Sequence, residues 1–403
     1  MSDVATVGVL GAGTMGSGIV QVVAQAGLEV LVHDPVPGAM EASIQRVAGF
    51  LDRRVAKGEL TAEEASQAGS RIRRASSLET VAQADLVVEA IPEEIDLKRE
   101  AFRRLDAAAP PQTTLATNTS SLSIARIAAA TEHPERVVGM HFFNPVPLMG
   151  LVEVIAGPMT AEGAVDRVAL TARLLGKTPV VATDTPGFIV NRVARPYYLE
   201  ALRILGEGGA GVEEIDAAMR GIDFPMGPFE LIDAIGADIN LAVSTTVHEA
   251  FFGEPRFRPH LLQRRLVDAG RLGRKTGGGF YDYADGGRGG AWSGISRRAA
   301  QAPSIDRQDA AQVEARILAA IVNEAAFAVA DGVATPAAID TAMRLGMNWP
   351  EGPLAWGERI GLASVVHTLD ALHALMPDGR YGVAPLLRML AERGGTFFAA
   401  GAR

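Results

Sequence analysis

The stretch TVGVLGAGTMGSGIVQVVAQA, Thr6 to Ala26, constrains the fold more than any other part of the chain. A short apolar run meets a glycine turn spaced Gly11-x-Gly13-x-x-Gly16, and an apolar-periodic helix follows at once. A strand joined to a helix through so few residues is the opening of a βαβ unit and commits the region to a parallel sheet. Two of the glycines let the backbone turn tightly and approach a pyrophosphate, and the third lets helix and strand pack closely. The helix N-terminus, carrying Thr14 and Met15, offers free N–H groups and a partial positive charge to the phosphates. The next apolar run, LEVLVHD, ends in Asp34, eighteen residues beyond Gly16. There a carboxylate accepts hydrogen bonds from the two ribose hydroxyls of an adenosine and repels a 2′-phosphate. Pro35-Val36-Pro37 follows where an NADP site would carry arginines, so NAD is the expected cofactor.

The same rhythm continues through TVGVLG, LEVLVHD, ADLVVEAI, TTLATN, RVVGMHF, GLVEVIA and TPVVAT, with Ala-rich charged segments between them. It predicts an α/β, doubly wound Rossmann-type sheet over residues 1–184. After DTPG, strand-like runs stop and helical periodicity takes over, which predicts an all-α domain over 185–284 whose glycine-rich end (270–290) is a terminal loop. A linker at 285–308 and a second all-α domain at 309–403 complete the 403 residues, too many for one core. The two helical segments are related. Tyr198–Pro228 aligns with Val322–Pro353 after one inserted residue, matching Glu200 to Glu324, Asp216 to Asp340, Met219 to Met343 and Gly227-Pro228 to Gly352-Pro353. Matched spacing with a shared turn indicates duplication.

Composition narrows the chemistry. A formal charge of -9 argues against a nucleic-acid or anionic-membrane partner, and the absence of cysteine removes thiol nucleophiles, disulfides and Cys-ligated zinc. No zinc-binding His spacing and no GxSxG occurs, and with no leader or 18-residue apolar stretch the expected location is cytoplasmic. What remains is acid–base chemistry at the sheet's carboxyl edge, where open parallel sheets hold ligands. Asn118-Thr119-Ser120-Ser121 ends one strand run and His141 another. Glu153 lies twelve residues on, across a turn-forming NPVPLMG that can bring acid and imidazole together. A carboxylate beside a histidine selects its tautomer and raises its basicity, as a base that takes a hydroxyl proton while hydride leaves the same carbon requires.

The motifs GAGTMGSGI, NTSSLSI, HFFNPVPLMGLVEVI, DTPGFIVNR, FPMGPFEL and GRKTGGGFYDY, in this order over residues 4–283, resemble those of the L-3-hydroxyacyl-CoA dehydrogenase family. The resemblance implies NAD-dependent oxidation of a 3-hydroxyacyl thioester of coenzyme A. It implies His141 as general acid/base and Glu153 as its partner, with Ser120 and Asn191 at the substrate oxygen and Asn144 supporting the histidine. Glu93 and Lys98 would line the nicotinamide and substrate cleft. Family members hold coenzyme A with a helical tail after the second strand; Arg53, Arg54 and Lys57 stand there, none singled out. In the second helical copy Ala315 replaces Asn191, so that copy is expected to be catalytically silent and to substitute for a dimer partner. The chain is then either a monomer with an internal pseudo-dimer or a homodimer. The alternatives are a relative acting on a hydroxy acid or alcohol without coenzyme A, and a non-catalytic NAD-binding structural protein.

Overall fold

The seven apolar runs become strands, and an eighth joins them. In chain order they are β1 (Thr6–Leu10), β2 (Glu29–His33), β3 (Ile72–Arg74), β4 (Leu86–Glu89), β5 (Thr114–Thr117), β6 (Val137–Phe142), β7 (Leu151–Ala156) and β8 (Thr178–Thr183). The computed structural model describes residues 4–284, 287–295 and 307–398. The sheet order is β3-β2-β1-β4-β5-β6-β7-β8, and every neighbouring pair is parallel except β6 and β7. β3 escapes sequence reading because it is a three-residue edge strand with two exposed arginines, tied down by Arg73–Glu29 at 2.7 Å and Arg74–Glu41 at 2.6 Å.

Side chains alternate across the sheet as period two requires. Val9, Val32, Val88, Met140 and Val152 enter one apolar layer, beneath helices Thr14–Gln25, Ala39–Ala56 and Glu162–Leu174. Leu10, Val87, Leu115, Val137 and Ile155 enter the other, beneath helices Ile95–Ala108 and Ile124–Ala128. Full burial of a side chain such as Phe102, at 0% exposure, stabilises by about 1.5–3 kcal/mol. The antiparallel step follows from chain length, because the short loop between β6 and β7 leaves no room for a parallel crossover.

The first compact unit ends at Phe188 and the second begins at Ile189, four residues later than the expected boundary. DTPGF stays with the sheet because Asp184 accepts hydrogen bonds from Ser123 Oγ (2.9 Å) and Ala125 N (2.8 Å), and Phe188 is buried in the second apolar layer.

The two expected all-α domains form one unit, not two. Within it, helices Val190–Val193 and Arg195–Gly206 of the first copy are joined to helix Ala310–Ala330 of the second by buried ion pairs. Arg192 Nε meets Glu324 at 2.6 Å and Arg316 Nε meets Glu200 at 3.0 Å; Arg192 also holds Asp331 at 2.6 Å and Arg316 holds Glu207 at 2.8 Å. Each partner set is the other displaced by 124 residues, with Asp331 answering Glu207, so the two copies exchange equivalent bonds, as subunits about a two-fold axis do. Equivalent carboxylates also cap equivalent helices. Asp216 accepts from Phe229 N and Glu230 N at 2.9 and 3.1 Å, and Asp340 from Leu354 N and Ala355 N at 2.8 and 3.0 Å. One difference is local: Pro196, lacking an amide hydrogen, starts a new helix after Val190–Val193, whereas Ala320 lets the second copy run unbroken.

Part of the expected terminal loop is a two-stranded antiparallel ribbon, Tyr281–Ala284 with Gly287–Ala291. Residues 285–286 and 296–306 of the expected linker lie outside the described residues.

Candidate active site

The glycine turn is built as its spacing requires. Gly11 has φ +105°, and a Cβ there would stand 2.5 Å from the Ala90 carbonyl oxygen; at Gly16 it would stand 1.9 Å from the Gly11 carbonyl oxygen. At Gly13 a Cβ would meet nothing within 4 Å. The first and third glycines are thus demanded by the protein itself, and the middle one leaves an open backbone surface at the N-terminus of helix Thr14–Gln25. That helix has no side-chain cap, so its first-turn amides, those of Thr14 and Met15 among them, face the same opening. Asp34 follows β2 and accepts from Ala12 N (2.8 Å) and Val36 N (2.9 Å), one donor per oxygen, which leaves a lone pair on each for a ribose hydroxyl. Arg46 reaches the turn from helix Ala39–Ala56, bonding the Ala12 carbonyl at 2.6 Å and Ser17 Oγ at 2.9 Å. An open amide surface, a positive helix end and a paired acid fit NAD.

At the same carboxyl edge, β4 ends in Glu89, which is fully buried. Lys98 is bonded to it at 2.6 Å and to the Ile91 carbonyl at 3.2 Å, and Thr117 Oγ1 donates to its other oxygen at 2.7 Å. Burial raises the Glu89 carboxyl above the usual range despite these donors. Lys98, expected along a cleft, is only 1% exposed; it reaches the surface through Glu93, 3.3 Å away. Glu93 Oε1 collects Thr119 Oγ1 (2.6 Å), Ser120 N (2.9 Å) and Ser121 N (3.2 Å). Burial pushes this carboxyl up, but the charge of Lys98 and these donors outweigh it and hold it below the ordinary range. Glu93 and Ser120 are therefore one bonded cluster rather than separate residues.

His141 and Glu153 face each other directly across the antiparallel β6–β7 pair. His141 Nδ1 lies 2.7 Å from Glu153 Oε2, with 5% and 0% exposure. A carboxylate can only accept, so Nδ1 carries the proton and Nε2 is left with a lone pair. Both alternate with Gly139, Val137 and Ile155 on the sheet face that also carries Glu89, and the ring packs 4.5 Å from Phe143 and 5.9 Å from Phe188. β5 and β6 run parallel to β1 and β4, so His141, Ser120, Glu93 and the glycine turn share the carboxyl edge of one sheet.

One placement differs from expectation. Asn144 lies exposed in the β6–β7 loop, and among the described residues no hydrogen bond joins it to His141. Asn118 holds that strand instead, accepting from Phe142 N at 2.8 Å. Asn191 sits in helix Val190–Val193 of the second unit. Sequence reading missed Glu89, and it placed Asn118 and Thr119 at the strand end without giving either a role. The signal available was their position at the ends of β4 and β5; the missing information was which side chains turn toward one another.

A Rossmann-type sheet with an NAD cradle and an acid-backed imidazole at its carboxyl edge defines a nicotinamide-dependent dehydrogenase. The 3-hydroxyacyl-CoA dehydrogenase NAD-binding domain matches residues 6–185, and the C-terminal domain of the same family matches twice, at 187–283 and 313–401. The chain belongs to the 3-hydroxyacyl-CoA dehydrogenase family and is an NAD-dependent oxidoreductase. It is 40% identical to the 3-hydroxyadipyl-CoA dehydrogenase of Escherichia coli K12, over 97% of this chain and 98% of that one. It is 46% identical to a probable 3-hydroxybutyryl-CoA dehydrogenase of Bacillus subtilis, over 69% and 96%. A solved 3-hydroxybutyryl-CoA dehydrogenase from Escherichia coli K12 superposes with a TM-score of 0.89 at 38% identity, over 97% of this chain and 99% of that one. Among the described residues no helix is long and apolar enough to cross a membrane.

Proposed function

We propose that this chain oxidises the 3-hydroxyl of a 3-hydroxyacyl-CoA, reversibly, with His141 as the general base. The observation that carries the reading is the 2.7 Å bond between His141 Nδ1 and Glu153 Oε2 at the sheet edge that bears the glycine turn. Bound NAD supplies the acceptor for the hydride that leaves C3. The protein's part is the proton: Nε2 accepts it from the hydroxyl, and the buried Glu153 charge stabilises the imidazolium that results. In reduction the same imidazolium returns it. Gly11, Gly13, Gly16 and the amides of Thr14 and Met15 hold the pyrophosphate, and Asp34 the adenosine ribose. Glu93, fixed by Lys98 and the Thr119–Ser121 segment, orients the nicotinamide side, with Ser120 next to it. Asn191, carried over from the family's PGFIVNR motif, is assigned to the substrate oxygen. Its counterpart Ala315 has no such group, so the second copy takes no part in the chemistry and acts as an internal partner for the first, as the exchanged ion pairs support. We place the enzyme in the cytoplasm as a monomer.

The test is NADH absorbance with acetoacetyl-CoA and longer 3-ketoacyl-CoAs, comparing wild type with His141→Ala. Turnover on at least one chain length, lost in the variant, is expected. No turnover on any of them overturns the assignment, and equal turnover by the variant overturns the base.

A further inference from the structure

The first helical copy buries a polar cluster where the second has apolar side chains. Arg195, at 4% exposure, has no carboxylate partner among the described residues. Its Nε donates to the Asn191 carbonyl at 2.8 Å and its Nη1 to Ser244 Oγ at 3.3 Å, both neutral acceptors. The Tyr198 ring lies 4.9 Å from the guanidinium carbon, and burial pushes this guanidinium below its ordinary range. Ser244 links Arg195 to two buried amides. Gln263 Nε2 donates to Ser244 Oγ at 3.2 Å and to Asn240 Oδ1 at 2.7 Å, while Asn240 Nδ2 has no hydrogen-bond partner among the described residues. The cluster is rich in donors and holds no negative charge, a costly arrangement in a protein interior unless an anion joins it.

Packing does not require these groups. By the same duplication Ala319 stands where Arg195 does, and after the one inserted residue Val365 stands for Asn240 and Leu369 for Ser244. Leu387 matches Gln263 as the third residue of the equivalent helix. All four are buried. Arg192, which pairs with Glu324, keeps its counterpart in Arg316, whereas Arg195 is lost in the second copy together with Asn191. Arg195 therefore goes with the reacting site and not with the packing.

We infer that Arg195 is a specificity-determining residue that pairs with a carboxylate at the far end of the acyl chain, so that the preferred substrates are 3-hydroxyacyl-CoAs of short dicarboxylic acids. The inference rests on the dehydrogenase reading proposed above, with Asn191 at the 3-oxygen. Arg195 stands one turn of chain from Asn191, about 5–6 Å. The phosphates of coenzyme A lie beyond the thioester and the whole pantetheine arm, so an anion this close to C3 belongs to the acyl chain. Three carbon–carbon bonds of about 1.5 Å each lead from C3 to a carboxylate at C6, a span that matches the turn. Asn240 Nδ2 supplies a second donor in the same cluster.

The probes are the coenzyme A thioesters of 3-hydroxyadipic and 3-hydroxyhexanoic acid, equal in carbon count and differing in a terminal carboxylate against a methyl, followed by NADH absorbance with the full-length protein. A kcat/KM at least about 30-fold higher for the dicarboxylic thioester is expected, as pairing with a buried charge predicts, and most of it in KM. Arg195→Met keeps the side-chain stem, and Ala319 shows that the equivalent helix packs without the charge. In that variant the ratio should collapse to about one, and Arg195→Lys should restore part of it. Equal kcat/KM for the two thioesters in the wild type overturns the inference and leaves the dehydrogenase reading standing. A ratio that survives in Arg195→Met, shown to be folded by circular dichroism, overturns the role of Arg195. No turnover of either thioester by the wild type overturns the dehydrogenase reading and this inference with it.

Discussion

Replacing Glu153 with glutamine keeps the size of the side chain and removes its charge. In the wild type the carboxylate is fully buried and 2.7 Å from His141 Nδ1. A charge-assisted hydrogen bond is worth roughly twice a neutral one, so the imidazolium formed on proton transfer loses about 1–2 kcal/mol of stabilisation. At about 1.4 kcal/mol per factor of ten, that alone slows oxidation about 5- to 30-fold. A second loss comes from tautomers. The glutamine amide can turn its NH₂ toward the ring and donate to Nδ1, which places the proton on Nε2 and removes the base altogether, as happens when a catalytic triad's acid becomes an amide. Together these predict a fall in kcat of about 10- to 10³-fold. KM for NAD should stay near wild type, because the glycine turn and Asp34 are untouched. The assay is the NADH-linked rate with acetoacetyl-CoA over a range of pH, with circular dichroism to confirm the fold. A kcat within about twofold of wild type in a folded variant would refute the claim that Glu153 acts through His141.

The glycine turn separates packing from binding: Gly16→Ala, whose Cβ falls 1.9 Å from a backbone oxygen, should unfold at lower temperature, whereas Gly13→Ala should melt normally and bind NAD at least tenfold more weakly by fluorescence titration. Arg316→Ala leaves the buried Glu200 with Arg203 as its remaining guanidinium partner and should cost about 3 kcal/mol in urea unfolding, near the low end for a broken buried pair; a loss under about 1 kcal/mol would contradict the ion-pair account. Burial pushes the Asp216 carboxyl up to about 7 from an unfolded value of 3.8, so its stabilising contribution is complete below pH 4 and is lost as pH rises through 7. Urea midpoints of Asp216→Asn and wild type should therefore converge from pH 5 toward pH 8, and parallel profiles would contradict this. Asp34→Ala should raise KM for NAD about tenfold with little change in kcat, read from initial rates.

The sequence alone determined the parts whose chemistry is local. A strand, a glycine turn and a helix in immediate succession admit one backbone geometry, so Gly11, Gly13, Gly16 and Asp34 could be assigned from spacing. Long apolar runs marked seven strands because burial on both faces demands them, and the 124-residue repeat was legible because its matched residues keep their spacing. Tertiary structure decided what depends on side-chain direction across distant segments. Lys98 turns inward to Glu89, leaving Glu93 to gather the Thr119–Ser121 amides, and Asn118 rather than Asn144 holds the strand that bears His141. The edge strand β3 was too short and too charged to show a pattern. The exchange of Arg192–Glu324 with Arg316–Glu200 joins the helical copies into one unit, and no periodicity reveals it, since ionic partners more than a hundred residues apart meet only after both helices have packed.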